Sequence, residues 1–467
     1  MNESGISQTL LERVSKLVNP SASEEKKLER LVANVSARLE ESLKRDTENP
    51  KPQVVLGGSY ARGTWLRGSH DVDFFLLYPV GFPRDKLETV AIQDASSALE
   101  GYPIHKRYAE HPYVESFVEG VRINIVPCYA VAPGEWQSAA DRSPYHTKYI
   151  QSKLDEGLRL EARLFKKFVK TSGVYGAEVR IQGFSGYVCE ILTIKFGSFV
   201  QTLRALSKLN PGEVISIEDY DRDLAASFKS PVVILDPVDT TRNLGSAISG
   251  RNLGVLVLTC RRFLSKPRIQ FFLPKRPAKL SGKSIKSKLP LFSRLVIVQF
   301  EIESRSPDIL WGELRKSSAS VADKLSGYGY EVLRHSTASD EKEYAALLFL
   351  LSNARMEGLT TRQGPDYFRA EEVEKYFEKN RNKALLTWMG EEGKLRSAFE
   401  RREILESAAS ALEWMLQKKN IDGTGVSSRI KKELLGRYRV LMANQVMRTG
   451  KNQEWLMKEI LELTSSD

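Results

Sequence analysis

Two short words, Gly57-Gly58-Ser59 and Asp71-Val72-Asp73, carry the residue types of a phosphate-and-metal site, with eleven residues between Ser59 and Asp71. The Gly-Gly-Ser turn offers bare backbone N–H groups and a hydroxyl, both suited to a phosphate. Side chains alternate along a strand, so Asp71 and Asp73 share one face, about 7 Å apart at Cα, while Val72 and Phe74 take the other. Paired carboxylates of this kind suit oxygen-ligated Mg²⁺. Either word alone describes an ordinary loop or a solvated strand end. Joined at this spacing, they describe a site for a metal–nucleoside triphosphate.

The elements that must position these words follow from apolar patterning. Val54-Val55-Leu56 and Phe74-Phe75-Leu76-Leu77 read as strands on either side of the site. Residues 21–45 read as a helix opened by a Ser-x-x-Glu box (Ser21, Glu24), with Leu28, Leu31, Val32, Val35, Leu39 and Leu43 on one stripe. Residues 83–99 give a second helix, and 104–108, 113–118 and 121–128 give three more strands. The result is a small mixed sheet with helices on one side.

The string Gly-Gly-Ser-Tyr-x-Arg-Gly-Thr-Trp-Leu-x-Gly-Ser-x-Asp-x-Asp over residues 57–73 resembles the signature of the DNA polymerase β nucleotidyltransferase superfamily. Its wording is similar to the archaeal-type (class I) CCA-adding enzymes, the tRNA nucleotidyltransferases. The resemblance runs from about residue 50 to 385, and its motifs are specific to about residue 260. It implies that Gly58, Ser59 and Arg62 meet phosphate oxygens and that Asp71 and Asp73 hold Mg²⁺. It further implies that His146, Lys166 and Tyr175, with Ser143 nearby, clamp the triphosphate from the other side. Taken alone, those three would be a capping or surface histidine, a solvated helix lysine and a core tyrosine. Arg242, in the word Asp236-Pro237-Val238-Asp239-Thr240-Thr241-Arg242-Asn243, is implied to contact the incoming base, a task that suits a guanidinium fork.

One position departs from the pattern. The resemblance implies a third carboxylate, catalytic and metal-holding, where this chain has Asn124 in Arg122-Ile123-Asn124-Ile125-Val126-Pro127. An amide presents an oxygen without charge, so nucleotide binding is expected to survive and turnover to be impaired. Two origins suit it: a substitution introduced to freeze a complex, which is the preferred reading, or a natural variant with relaxed or lost activity. Glu115 and Glu119 lie on the preceding strand-like run and offer carboxylates that the sequence does not place.

The remaining chain is read as follows. Helices are expected over 156–171 and from Gly183-Phe184-Ser185-Gly186-Tyr187 to about Leu206. Residues 232–235 form a buried strand that leads into the stretch Asp236 to Leu244, and a helix then runs through Leu258. Residues 261–294 hold eleven Lys/Arg and no Asp or Glu, so this strip accounts for the net charge of +11. With Phe271 and Phe272 in it, the strip reads as a phosphate-binding segment for nucleic acid, Lys275 and Arg276 among its contacts. Strand 295–300, helix 309–325 and strands 330–333, 344–351 and 355–361 suggest a ferredoxin-like or RRM-like module. In it, Arg362, Gly364 and Pro365 resemble the family's acceptor-stem words. Helices 402–418, 427–435 and 455–463 make a tail.

The fold class is thus α+β and multidomain. A polymerase-β-like head (1–140) is followed by a helical nucleotide-clamping domain (141–260), the basic strip (261–294), the ferredoxin/RRM-like module (295–385) and an α-rich tail (386–467). The expected partners are tRNA, at its acceptor stem and T-arm end, with CTP and ATP; a homodimer is compatible. No apolar run long enough to span a membrane and no signal peptide is present, and Cys128, Cys189 and Cys260 stand apart in apolar surroundings. Those features suit a reduced, cytoplasmic protein. A poly(A)- or oligoadenylate-type transferase and a non-catalytic RNA-binding protein on the same fold are the alternatives.

Overall fold

The computed structural model describes residues 6–45, 48–69, 71–108, 112–274, 288–355, 359–400, 406–449 and 453–465, and the chain divides into two units, Met1–Lys275 and Arg276–Asp467. In the first unit, α1 (Gln8–Val18) and α2 (Ala22–Arg45) precede β1 (Gln53–Gly57), a single helical turn α3 (Gly58–Ala61) and β2 (Asp71–Pro79). Then come α4 (Arg84–Ala98), β3 (Ile104–Tyr108), β4 (Pro112–Val118) and β5 (Val121–Ala130). The sheet order is β1-β2-β5-β4-β3, with β2 antiparallel to β1 and parallel to β5. The Ser21–Glu24 box forms, Ser21 N donating to Glu24 Oε2 at 2.8 Å. The expected stripe of α2 is buried with Val72, Phe74, Leu76, Ile123 and Ile125 in one core. That burial commits one face of the sheet and leaves Asp71, Asp73, Arg122 and Asn124 on the other.

The second core holds α5 (Arg142–Lys153), α6 (Glu156–Thr171), α7 (Gly186–Phe196), α8 (Phe199–Ser207) and α10 (Gly250–Ser265). The single helix expected from Gly183 to Leu206 is two. Gly197 ends α7 in the left-handed region at φ 80°, and Ser198 caps α8 by accepting from Gln201 N. Helix α1, absent from the sequence reading, buries Val14 and Val18 in this core, so the expected head boundary at 140 leaves out a helix of the domain that follows. A short β6 (Val214–Ile215) and α9 (Arg222–Ser227) precede a hairpin of β7 (Val233–Asp236) and β8 (Asp239–Asn243), which places Arg242 on a strand. The helix expected after Leu244 begins at Gly250.

The basic strip is partly structural. Phe271 and Phe272 stack in an aromatic group with Phe168, Phe199 and Phe263, and Phe272 is fully buried. These two rings therefore belong to the protein core, because burying such large apolar surface outweighs exposing it beside a polyanion. Lys275 and Arg276 lie outside the described residues.

In the second unit, β9 (Leu295–Glu301), α11 (Pro307–Gly327), β10 (Val332–Ser339) and β11 (Tyr344–Leu351) follow the expected order. The strand expected at 355–361 does not complete their sheet. β12 (Leu359–Asp366) instead flanks α12 (Ala370–Asn380) and joins β13 (Leu386–Met389) and β14 (Lys394–Glu400) in a separate sheet, order β12-β14-β13. Helices α13 (Ala408–Met415) and α14 (Ser428–Gly436) lead to β15 (Tyr438–Met442), which pairs antiparallel with β9 and closes the order β10-β11-β9-β15. That order is the ferredoxin-like one, its last strand drawn from the region assigned to the tail. The boundary expected at 385 therefore runs between paired strands. Helices α15 (Ala443–Thr449) and α16 (Glu454–Leu463) end the chain. Among the described residues, no helix is long and apolar enough to cross a membrane.

Candidate active site

The site is built on cross-strand rows. Gly57, Asp73, Asn124, Glu115 and His105 are register partners across the five strands; Asp71 lies opposite Arg122 in the neighbouring row. Asn124 Nδ2 donates to Asp73 Oδ1 at 2.8 Å, while Asn124 Oδ1 is buried without a hydrogen-bond partner among the described residues. Burial pushes the Asp73 carboxyl above the usual aspartate range, against the Asn124 hydrogen bond and the Arg62 charge. Arg122 holds Asp71 with both ends of its fork, Nε to Oδ1 at 3.0 Å and Nη2 to Oδ2 at 2.5 Å. Glu115 is buried beside it and takes Arg107 at 2.8 Å. Glu119 sits in the β4–β5 turn and pairs with Arg30 at 3.4 Å, off the row.

Gly58 meets this row directly. Its φ is +66°, and a Cβ built on it would lie 1.8 Å from Asp73 Oδ2. The first turn of α3 can press its backbone onto the carboxylate only with glycine there. Ser59 is the next residue of that turn, and Arg62 caps it, Arg62 N reaching Gly58 O at 3.3 Å.

Behind this face stands a wall of two buried carboxylates. Glu190, fully buried on α7, pairs with Arg62 Nε at 2.8 Å and Lys166 Nζ at 2.7 Å, and accepts from the Thr64 hydroxyl. Burial alone would raise the Glu190 carboxyl; the charges of Arg62 and Lys166 outweigh it and hold the group below the usual glutamate range. Asp236, at the end of β7, is also fully buried. It takes His146 Nε2 at 2.8 Å, Tyr187 Oη at 3.1 Å and Arg242 Nη1 at 3.5 Å. Tyr187 stacks on His146 with centroids 4.1 Å apart and lies under Arg62 at 5.9 Å, joining the two clusters.

Thus Gly58, Arg62, Asp71, Asp73 and Asn124 come together, and His146, Lys166 and Arg242 converge through the two carboxylates. Lys166 is no solvated helix lysine: it is 1% exposed. Tyr175 bridges to Phe184 beside Gly186, where a Cβ would lie 2.7 Å from its hydroxyl. Ser143 accepts from Thr147 through its carbonyl at 3.0 Å. In the second unit, Arg362 lies 4.9 Å over the Phe399 ring. A Cβ on Gly364 would strike Tyr376 at 2.9 Å, so that glycine serves packing. Pro365 lies on β12 beside it.

Sequence reasoning missed Arg122, Tyr187 and the two acceptor hubs. Glu190 had a visible signal, a lone carboxylate inside the apolar run of α7, which must find cations if buried.

The whole chain is similar to known proteins in the same arrangement. Residues 36–146 match the nucleotidyltransferase domain family, 160–273 the second domain of tRNA nucleotidyltransferase and 293–442 the C-terminal domain of the CCA-adding enzyme. The CCA-adding enzyme of Methanopyrus kandleri is 31% identical over 98% of this chain and 97% of its own length. The chain belongs to the CCA-adding enzymes. Members from Pyrobaculum neutrophilum and Sulfurisphaera tokodaii are each 35% identical, over 77% and 85% of this chain and 83% and 90% of theirs. The head is of the nucleotidyltransferase type, followed by a second and a C-terminal domain.

Proposed function

We propose that this chain adds C, C and A, one at a time, to the 3′ end of tRNA from CTP and ATP. The observation that carries the reading is the Asp71–Asp73 face pressed against Gly58, in a chain of this family. Gly58 and Ser59 present backbone N–H groups and a hydroxyl to the triphosphate, and Arg62 adds its guanidinium. His146 and Tyr175, with Ser143 nearby, line the opposite wall, and Lys166 supplies charge from behind Thr64. Arg242 reads the acceptor edge of the base, its fork aimed by Asp236. The ribose 3′ oxygen attacks the α-phosphorus, the bond to the β-phosphate oxygen breaks, pyrophosphate leaves, and the hydroxyl proton passes to solvent.

A divalent metal fits this face: two carboxylates and one amide oxygen without a hydrogen-bond partner among the described residues are the hard oxygen donors Mg²⁺ prefers. Asp71 and Asp73, with Asn124 Oδ1, would hold Mg²⁺, which when bound neutralises charge on the triphosphate. Asn124 brings no charge, so the step that activates the 3′ hydroxyl is slow in this chain. The second unit and the strip around Lys275 and Arg276 grip the tRNA acceptor stem and T-arm end, with Arg362, Gly364 and Pro365 on the acceptor side.

The test is incorporation of labelled CTP and ATP into tRNA lacking its CCA end, for this chain and its Asn124→Asp variant with Mg²⁺. The variant is expected to add CCA and stop, at least about a hundredfold faster than the parent. Tailing beyond one A would favour a poly(A)-type transferase. Binding of tRNA without incorporation by either protein would leave an RNA-binding protein on an enzyme fold.

A further inference from the structure

We propose that Arg122 is a positioning residue that covers Asp71 until nucleotide arrives, so that metal binds this site more readily with the triphosphate than alone. The proposal rests on the functional reading above. Arg122 spans both Asp71 oxygens, at 3.0 and 2.5 Å, the fork-on-carboxylate match that a guanidinium makes well and an ammonium does not. It also has somewhere to go. Its Nη1 lies 3.9 Å from Glu115 Oε2, and Glu115 is held in place by Arg107 Nε at 3.0 Å and Nη2 at 2.8 Å. A guanidinium leaving Asp71 keeps a carboxylate partner on the next strand.

Charge counting points the same way. Asp71, Asp73 and Glu115 carry three negative charges against the two positive of Arg122 and Arg107, and Arg62 acts on Asp73 as well, so at most one negative charge is left on the face. A lone divalent ion gains little there. Mg²⁺ is in any case held by one or two carboxylates plus substrate phosphates, and a triphosphate supplies the missing negative charge. Asn124 and Arg122 act together in this, one removing a charge from the face and the other covering a carboxylate that remains. The pair is half exposed, 43% and 38% at the two side chains, which limits its strength. The competition therefore amounts to about fivefold in metal affinity.

The experiment is a Mn²⁺ titration read by electron paramagnetic resonance at fixed ionic strength. It uses the full chain with and without a CTP analogue carrying a methylene bridge between the α- and β-phosphates. Arg122→Met, Arg122→Lys and Asp71→Asn are compared with the parent. Without analogue, Arg122→Met is expected to bind Mn²⁺ about fivefold more tightly than the parent, with Arg122→Lys between them. With analogue, the three should converge. Equal nucleotide-free affinities for parent and Arg122→Met overturn the proposal. So does a tightening of the same size with and without analogue, which marks a general charge effect. If Mn²⁺ binding is insensitive to Asp71→Asn, the metal assignment itself fails, and the proposal falls with it; if Asp71→Asn abolishes binding while Arg122 changes nothing, only the proposal fails.

Discussion

Three constraints meet at Asp73. It accepts from Asn124, feels Arg62, and has Gly58 backbone pressed against its other oxygen, Oδ2. Any side chain at position 58 must push the turn off the carboxylate, and displacements of about 1 Å cost roughly a hundredfold in rate. Gly58→Ala is therefore expected to lower CTP incorporation by the Asn124→Asp enzyme about a hundredfold, while the melting temperature falls far less. An unchanged rate would mean that the close approach has no part in catalysis. At this scale much was legible: the Gly-Gly-Ser turn, the alternation of Asp71 and Asp73 and the neutral Asn124 are all written locally. Arg122 was not, because its partner is set by which strand lies beside β2 and in what register, and a parallel neighbour fifty residues on leaves no local mark.

At the scale of elements, α7 and the β7–β8 hairpin support the site with one buried carboxylate each. Glu190 joins α6, through Lys166, to the turn that carries Arg62 and Thr64. Glu190→Gln leaves two cations without their shared counter-charge and is expected to cost about 3–5 kcal/mol, read from urea or thermal unfolding at neutral pH. Because the folded carboxyl lies below its ordinary 4.5, its contribution is fully present above that pH. It is lost as pH falls through the depressed folded value. The parent should show this acid limb, and the Gln variant should show less of it. Asp236 ties His146 on α5 to Arg242 on β8. Asp236→Asn is expected to raise KM for CTP and ATP about tenfold with a smaller fall in kcat, the signature of lost positioning in the bound state. A change in kcat alone would count against that role. Helix stripes and strands were readable from periodicity. The break at Gly197 and the hairpin before α10 were not, since apolar residues continue across the first, and the second strand of the hairpin, Asp239–Asn243, is polar throughout.

For the whole molecule, the division at residue 275 separates two bodies with their own cores. Cutting after Lys275 is expected to leave a folded first unit that binds CTP within about threefold of the full chain. Its tRNA affinity should fall by at least tenfold, and the plot of log affinity against log salt should be shallower, because fewer phosphates are neutralised. Filter binding over a salt series reads both. A truncated chain that binds tRNA with the full slope would place the grip in the first unit. The charge excess of 261–294 was visible in the sequence, but the assignment of its aromatics was not. Phe271 and Phe272 join Phe168, Phe199 and Phe263 only once the helices pack.

The closing of the β9 sheet by β15 has a consequence for how the protein is made. Strand β9 ends at Glu301 and its outer neighbour does not begin until Tyr438. At about 5–20 residues per second, a growing chain carries that apolar strand with an open edge for roughly seven to thirty seconds. The first unit has already left the ribosome by then. Stalled nascent chains should thus resist protease across the first unit while the second remains cleavable until residue 442 has emerged, so that the part that would bind nucleotide is born folded and waits for the rest.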